Sequence, residues 1–232
     1  MGGVAVTEKP PRKRPAVRSG RPRRELAGEV DERILDAARQ VFLERGLSGA
    51  SIDEIASLAR AGKPTIYARF PSKEALFTAV VMRNISAVVG RFEGHAPTGR
   101  TIEERLTRFG VTLLGWALGG NTVDLMRVGI SEARRFPDLA NGVQGMARQC
   151  GEGTVGKLLS EVAQSDGLGT LPAFAPERLP MTTQCFMDLV FKPMIMRALF
   201  GERLETLRGE IASHVARRVE FFLAACRQDG VH

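Results

Sequence analysis

Lys63, Pro64, Thr65, Tyr67, Ala68 and Arg69 fall in one short stretch, and no acidic residue lies between Arg60 and Lys73. Ammonium and guanidinium groups donate to guanine O6 and N7 and to phosphate oxygens, and hydroxyls donate to phosphate, so this mix suits a polyanion whose base edges can be read. Ile66 and Phe70 are four residues apart and share the opposite side of a helix, which leaves the polar residues as an outward face. A second cationic element precedes this one. Residues 1–24 carry eight Lys or Arg against the single acid Glu8, so the formal charge of +7 is concentrated there and the remainder is neutral.

That basic arm holds Pro10, Pro11, Pro15 and Pro22 and almost no large apolar residue, so it cannot bury enough surface to offset its ordering entropy and is expected to be disordered in isolation. Its Ser19-Gly20-Arg21-Pro22-Arg23-Arg24 run resembles the minor-groove hook of architectural DNA proteins, in which an extended backbone carries arginines into a narrow A·T-rich groove. A solvated tail that aids solubility or touches phosphate without specificity is the competing reading. An anionic membrane surface is a third, but the arm has no aromatic or Leu-rich anchor. It also lacks the apolar block of a secretory leader, and no run reaches the roughly 18 apolar residues of a membrane span, so the expectation is a soluble cytoplasmic protein.

Other chemistries find little support. Cys150, Cys185 and Cys226 are far apart, fit a reducing compartment, and are expected to be buried apolar filler. His95, His214 and His232 are equally scattered, so neither a metal nor a cofactor is expected. A phosphate-cradling glycine loop, a nucleophile elbow and an H-E-x-x-H pair are all missing, which argues against an enzyme.

The elements that must carry the cationic face read as helices, and an all-α fold is expected. Val30, Ile34, Ala37, Ala38, Val41 and Phe42 recur at three- and four-residue spacing over 30–45, and Gly46 is placed to end that helix. Ser51-Ile52-Asp53-Glu54 predicts a capping box, with the Ser51 side chain accepting from the Glu54 amide, and a short helix to Ala59. After the brief Arg60-Ala61-Gly62 turn, Lys63-Pro64 opens a helix to Phe70, too short to stand alone. Pro71-Ser72 then caps a longer helix from Lys73 to about Phe92.

Further helices are expected at about 101–119, 121–135, 138–164, 176–200 and 203–227. Five glycines within 142–156 predict a segment that is broken or packed close to a neighbour. Residues 183–200 are apolar nearly all round, with a kink at Pro193, and 203–227 carry one apolar stripe. A two-fold pair of chains could close the last two helices into a four-helix bundle, so 176–200 and 203–227 are candidates for a homodimer interface, an ordinary intrachain pair being the alternative.

Two short helices joined by a three-residue turn, the second exposing cations and hydroxyls, form a helix-turn-helix. Residues 30–78 resemble the DNA-binding domain of the TetR family of bacterial transcriptional regulators, through Ala38, Phe42, Gly46, Ser51, Ile55, Ala56, Ala59, Pro64-Thr65-Ile66-Tyr67, Phe70, Ser72-Lys73-Glu74 and Leu76. Two positions depart from the pattern. Arg60 stands where a turn glycine is usual and must adopt a left-handed conformation or shift the bend to Gly62, which itself replaces a capping serine. A further run, Glu132-Ala133-Arg134-Arg135-Phe136-Pro137, matches a junction in one branch of the family's C-terminal domains.

The resemblance implies a basic arm over 1–28, a three-helix head over 29–77 and a helical ligand-binding and dimerisation body over 78–232. It implies a homodimer on a palindromic double-stranded DNA operator, released by a small apolar or amphipathic effector. Lys63, Pro64, Thr65, Ala68 and Arg69 would lie nearest base edges and phosphates. Tyr67, Lys73 and Ser51 would reach phosphate, and Arg21, Arg23 and Arg24 would serve from the arm. Trp116, Met126, Phe174, Phe186 and Met187 are pocket candidates, with plain core packing the alternative for each. A repressor is expected. An activator of the same fold and an architectural DNA-binding protein without a ligand are the alternatives.

Overall fold

A computed structural model describes residues 23–92, 99–165 and 171–227. Among the described residues ten α-helices follow one another: α1 (Arg23–Gly49), α2 (Ile52–Ala59), α3 (Lys63–Arg69), α4 (Lys73–Phe92), α5 (Ile102–Ala117), α6 (Thr122–Glu132), α7 (Pro137–Ser165), α8 (Leu179–Phe186), α9 (Lys192–Leu199) and α10 (Leu204–Arg227). Among the described residues there is no strand. None of these helices is long and apolar enough to cross a membrane.

Burial divides the chain into two cores. Ile34, Ala38, Val41 and Phe42 of α1 meet Ile55, Ile66, Leu76 and Phe77 to form a small head core, in which the Phe42 and Phe77 rings stand edge to face with centroids 5.3 Å apart. Such a pair adds about 0.5–1.5 kcal/mol beyond its burial. In the body, Phe109, Phe186 and Phe222 are the centre of the second core, Phe186 lying edge to face on Phe222 at 5.3 Å. Helices α5 and α10 approach closely because α5 has Gly110 at the crossing, where a Cβ would stand 2.7 Å from Val215 Cγ1. The cores meet at a seam: Leu125 of α6 belongs to the head cluster, and Val128, Phe136 and Leu139 pack against it.

Local structure departs from the sequence-based expectations at several points. Helix α1 reaches back to Arg23 instead of starting at 30. The Ser51 side chain accepts from the Asp53 amide at 3.2 Å, not from Glu54, and the Glu54 carboxylate, which would have closed the box from the other side, pairs with Arg45 at 2.9 Å. The glycine-rich part of α7 is an unbroken helix, and Gly142, Gly145 and Gly153 face open space. Among the described glycines of this segment Gly156 is the tight one, with a Cβ placed 3.2 Å from Thr183 Oγ1. The expected helix 176–200 is present as continuous helical backbone from 179 to 199, with the difference that Met187–Phe191 forms a widened turn just before Pro193 in the first turn of α9. The buried His214 closes that turn, its Nε2–H donating to the Val190 carbonyl at 3.0 Å, and burial holds its pKa below the ordinary value. Cys226 is buried as expected, but Cys185 is exposed, and the Cys150 side chain lies outside the described residues.

Two backbone positions shape the head. Arg60 takes the left-handed conformation at φ 49°, and Gly62 stays extended at φ −71°, so the bend is not shifted. Gly46 has φ 69° and ψ 177°, which breaks α1 and folds the fully buried Leu47 back into the head core. A side chain is strained at that φ whatever space is available, and here its Cβ would also approach Glu132 Oε1 at 3.6 Å. Gly46→Ala is therefore expected to destabilise the fold by about 1–2 kcal/mol. Thermal unfolding checks this, and an unchanged midpoint would remove the role assigned to the kink.

Candidate nucleic-acid interface

Helix α3 spans Lys63–Arg69, barely two turns, and its position is set by what it buries. Ile66 is fully buried in the head core and Phe70 packs on it partly, while Lys63, Pro64, Tyr67 and Ala68 are exposed and Thr65 is half-buried. Gly62 offers no side-chain cap, and its carbonyl accepts from the Thr65 and Ile66 amides at 2.9 and 3.1 Å. Tyr67, 48% exposed, puts its hydroxyl on the outer side with Lys63 one turn away. The outward face foreseen from the sequence is thus assembled from Lys63, Pro64, Tyr67 and Ala68.

Carboxylates from other elements reach this face, which the stretch between Arg60 and Lys73 could not reveal. Asp53 of α2 pairs with Lys63 Nζ at 2.5 Å, and that hydrogen bond and charge raise the Lys63 pKa. Asp31 of α1 pairs with Arg69 Nε, and the Arg69 side chain is only 27% exposed. Arg69 therefore acts as a strut between α3 and α1. Lys73 turns inward as well: its ammonium donates to the Ser48 and Ala50 carbonyls, both at 3.1 Å, which uses two of its three protons. Ser51 lies exposed at the N-terminus of α2, its oxygen accepting from the Asp53 amide, which leaves its O–H as a donor. Arg21 lies outside the described residues. Arg23 and Arg24 belong to the first turn of α1, and their side chains also lie outside the described set.

A second site lies behind the head. The end of α1 and the helices α4, α6, α7 and α9 enclose a cleft of about 420 Å³, within the size range of small-molecule pockets. Of the five apolar candidates, Met126 lines it. Phe174 and Phe186 are buried in the body core, and Trp116 and Met187 are packed against that core. At the cleft's head-side edge Glu132 takes two hydrogen bonds from Ser48, Oε1 from the amide at 2.9 Å and Oε2 from the hydroxyl at 2.6 Å, while Arg135 donates to Ser48 Oγ at 3.0 Å. These donors, ahead of the nearby Arg135 and Lys73 charges, hold the Glu132 carboxyl below the usual carboxylate range. The Glu132 to Pro137 run was visible in the sequence, but its partner Ser48, 84 residues earlier, was not. Among the described residues no cluster of His, Cys, Asp and Glu could hold a metal ion.

Comparison with known proteins agrees with this architecture. Residues 34–80 match the bacterial regulatory proteins of the tetR family, and residues 104–228 match the C-terminal domain of AefR-like transcriptional repressors. The chain belongs to the TetR family. Its members are DNA-binding transcriptional regulators and not enzymes. A curated relative is the transcriptional activator FasR of Mycolicibacterium smegmatis, 39% identical over 90 residues that cover 38% of this chain and 41% of FasR. Another is the repressor BepR of Brucella suis, 42% identical over 57 residues, covering 25% of this chain and 27% of BepR. The chain thus spans less than half the length of these relatives. A TetR-family regulator from Mesorhizobium loti has the same fold, with a TM-score of 0.72 at 24% identity over 85% of this chain and 96% of that one. The flavonoid-responsive regulator FrrA aligns over 85% of this chain and 97% of its own, with a TM-score of 0.62 at 28% identity.

The geometry separates two kinds of cation. Lys63→Ala is expected to weaken operator binding by about ten-fold with an unchanged melting temperature, whereas Arg69→Ala lowers the melting temperature as well. Asp53→Asn, which frees Lys63 from its internal partner, should tighten binding. Fluorescence anisotropy beside thermal unfolding checks all three, and looser binding by Asp53→Asn would show that the carboxylate aligns the lysine instead of competing for it.

Proposed function

We propose that this regulator is a ligand-responsive repressor that binds a palindromic operator as a homodimer in the cytoplasm and is released by a small apolar or amphipathic molecule. The observation that carries the reading is the outward polar face of α3, held on a buried Ile66 and flanked by the left-handed turn at Arg60. In this reading 29–77 is the head that enters the major groove and 78–232 the body that dimerises and senses. Lys63, Pro64, Thr65, Ala68 and Arg69 approach bases and phosphates, Tyr67, Lys73 and Ser51 bond phosphate, and Arg21 of the arm and Arg23 and Arg24 of the first turn of α1 add contacts.

The dimer is supported by the last helices. Met181, Met196, Phe200 and Phe221 are all exposed on α8, α9, the turn after α9 and α10, and Phe200 is 84% exposed. Large exposed apolar side chains of this kind mark an association surface, and a two-fold axis beside α8–α10 would cover them in a four-helix bundle. A repressor is supported by the AefR-like repressor match and by BepR, and response to a small molecule by the likeness to flavonoid-responsive FrrA. FasR is named an activator, and activation is the second reading that this likeness favours. The cleft favours a sensor over a purely architectural DNA binder, which needs no such space.

Release then follows as a population shift. A ligand that binds better to one body conformation changes the separation of the two heads, so that α3 and its copy no longer match major grooves about 34 Å apart. Helix α4 is the natural lever, since Leu76, Phe77 and Val80 lie in the head core while its later turns run along the body.

Selection of bound duplexes from random DNA by the full-length protein is expected to return a palindromic consensus, with two chains per duplex by sedimentation. Enrichment of A·T-rich tracts without symmetry would shift the reading to the arm. Removing residues 1–22 is expected to flatten the salt dependence of binding by about 0.9 in the log-log slope per lost phosphate contact. An unchanged slope would show that the arm does not touch DNA.

A further inference from the structure

The Glu132 to Pro137 junction and the cleft beside it lie apart from the outward face of α3, and they join the head to the body. Leu47 and Glu132 both line the cleft. Leu47 immediately precedes Ser48, so the Ser48–Glu132 hydrogen bonds connect two facing walls of one cavity. Phe136 and Phe77 line it as well, and both belong to or pack against the head core. Any molecule that enters therefore presses on the groups that hold the head in place.

The lining also sets the chemistry of the occupant. Among the described residues the lining is apolar apart from Asn84, Thr122, Gln144 and Glu132, and none of them is a lysine or arginine. A carboxylate, sulfonate or phosphate buried there would face Glu132 with no cation in the described lining to pair with it, which disfavours an anion. A ligand cation would compete for a carboxylate whose oxygens already accept from the Ser48 amide and hydroxyl. What remains is a neutral molecule. At one end Asn84 Nδ2 donates to Thr122 Oγ1 at 3.2 Å, which leaves the Asn84 carbonyl oxygen and the Thr122 hydroxyl hydrogen for a hydroxyl or carbonyl on the ligand.

The geometry points to this seam cleft, and not the body core around Phe174 and Phe186, as the effector site: it takes a neutral, largely apolar molecule with a hydrogen-bonding group at one end, and its occupancy is passed to the head through the Ser48–Glu132 clasp. The inference rests on the ligand-responsive reading above and adds the location, the ligand class and the coupling contact. Leu47 is the moving part. Wedging it away from Phe136 draws Ser48 off Glu132, and the Ser48 carbonyl is also a partner of Lys73 at the start of α4. The disturbance thus reaches the head through α4 and the 46–51 segment together.

The test compares two fluorescent probes that share one aromatic framework, neutral phenylnaphthylamine and its sulfonated analogue anilinonaphthalene sulfonate. Full-length protein is titrated alone and bound to its selected operator. The neutral probe is expected to bind at least about ten-fold more tightly than the sulfonated one and to weaken operator binding about five-fold or more. Gly129→Leu fills the cleft from α6, where a Cβ lies 4.0 Å from Phe77 Cζ, and should abolish neutral-probe binding. Ala140→Leu, from the α7 wall, serves if thermal unfolding shows the first variant to be misfolded. Ser48→Ala, outside the lining, should still bind the probe but lose most of its effect on the operator.

Equal binding of the two probes, no binding of the neutral one, or undiminished binding by folded Gly129→Leu and Ala140→Leu would overturn the site. If the probe nevertheless released the operator, response to a ligand would stand with its site elsewhere. A probe held in the cleft that leaves operator affinity unchanged, or acts fully on Ser48→Ala, would overturn the clasp as the coupling contact.

Discussion

A helix of seven residues has almost no stability of its own in water, because nucleation fixes several dihedral angles before hydrogen bonds repay them. The interface formed by α3 therefore depends on its neighbours. Ile66 anchors it in the head core, Arg69 ties its end to Asp31 of α1, and Arg60 accepts a left-handed backbone so that the turn from α2 stays short. The head core in turn depends on Gly46, whose kink returns Leu47 to that core. Orientation of the outward face is thus a property of the whole head, and it shifts if any of these supports shifts.

The electrostatics of the face follow from the same packing. A basic stretch read along the chain looks uncompensated, but folding brings Asp53 to Lys63 and Asp31 to Arg69. Exposed pairs such as Lys63–Asp53 contribute little to stability. Their larger effect is on the ligand. A phosphate that approaches Lys63 must displace Asp53 or share the ammonium with it, which lowers nonspecific affinity and makes binding depend on geometry as well as charge. The net positive charge of the sequence is concentrated in residues 1–24, and attraction over the Debye length needs no alignment.

Much of this was legible in the sequence, for a physical reason: the head is built from local signals. Helical periodicity, Ser51 before α2, Pro64 in the first turn of α3 and Ser72 before α4 each act within a few residues, so the α2–turn–α3 arrangement and the bounds of α4 could be read directly. What failed depended on distant partners. Glu54 is taken from its expected capping role by Arg45, and the glycines of α7 are carried by a continuous helix whose supports lie elsewhere in the chain. Periodicity marked Phe174 and Phe186 as large and apolar, but it cannot distinguish a side chain that fills a core from one that borders a space. Only Met126 of that set borders the cleft, because the empty volume lies at the seam where α1, α4, α6 and α7 converge.

The seam itself is a compromise between rigidity and response. Leu125 is buried in the head cluster although it belongs to α6, so the head cannot rotate freely on the body. Arg83 reinforces the link within the head by bonding Glu32 and Asp36 of α1 at 2.9 and 2.8 Å, which makes α4 and α1 move together. On the body side Asn84, the next residue of α4, bonds Thr122 of α6, and Arg127 of α6 donates to the Ala198 carbonyl of α9 at 2.6 Å. Polar ties thus run without a break from α1 through α4 and α6 to α9, which borders the exposed apolar face at Phe200. Close-packed interiors switch between discrete arrangements more readily than they deform smoothly. Such a chain of ties links α6 to both ends, so atoms added in the space left open at its centre act on α1 and α9 together.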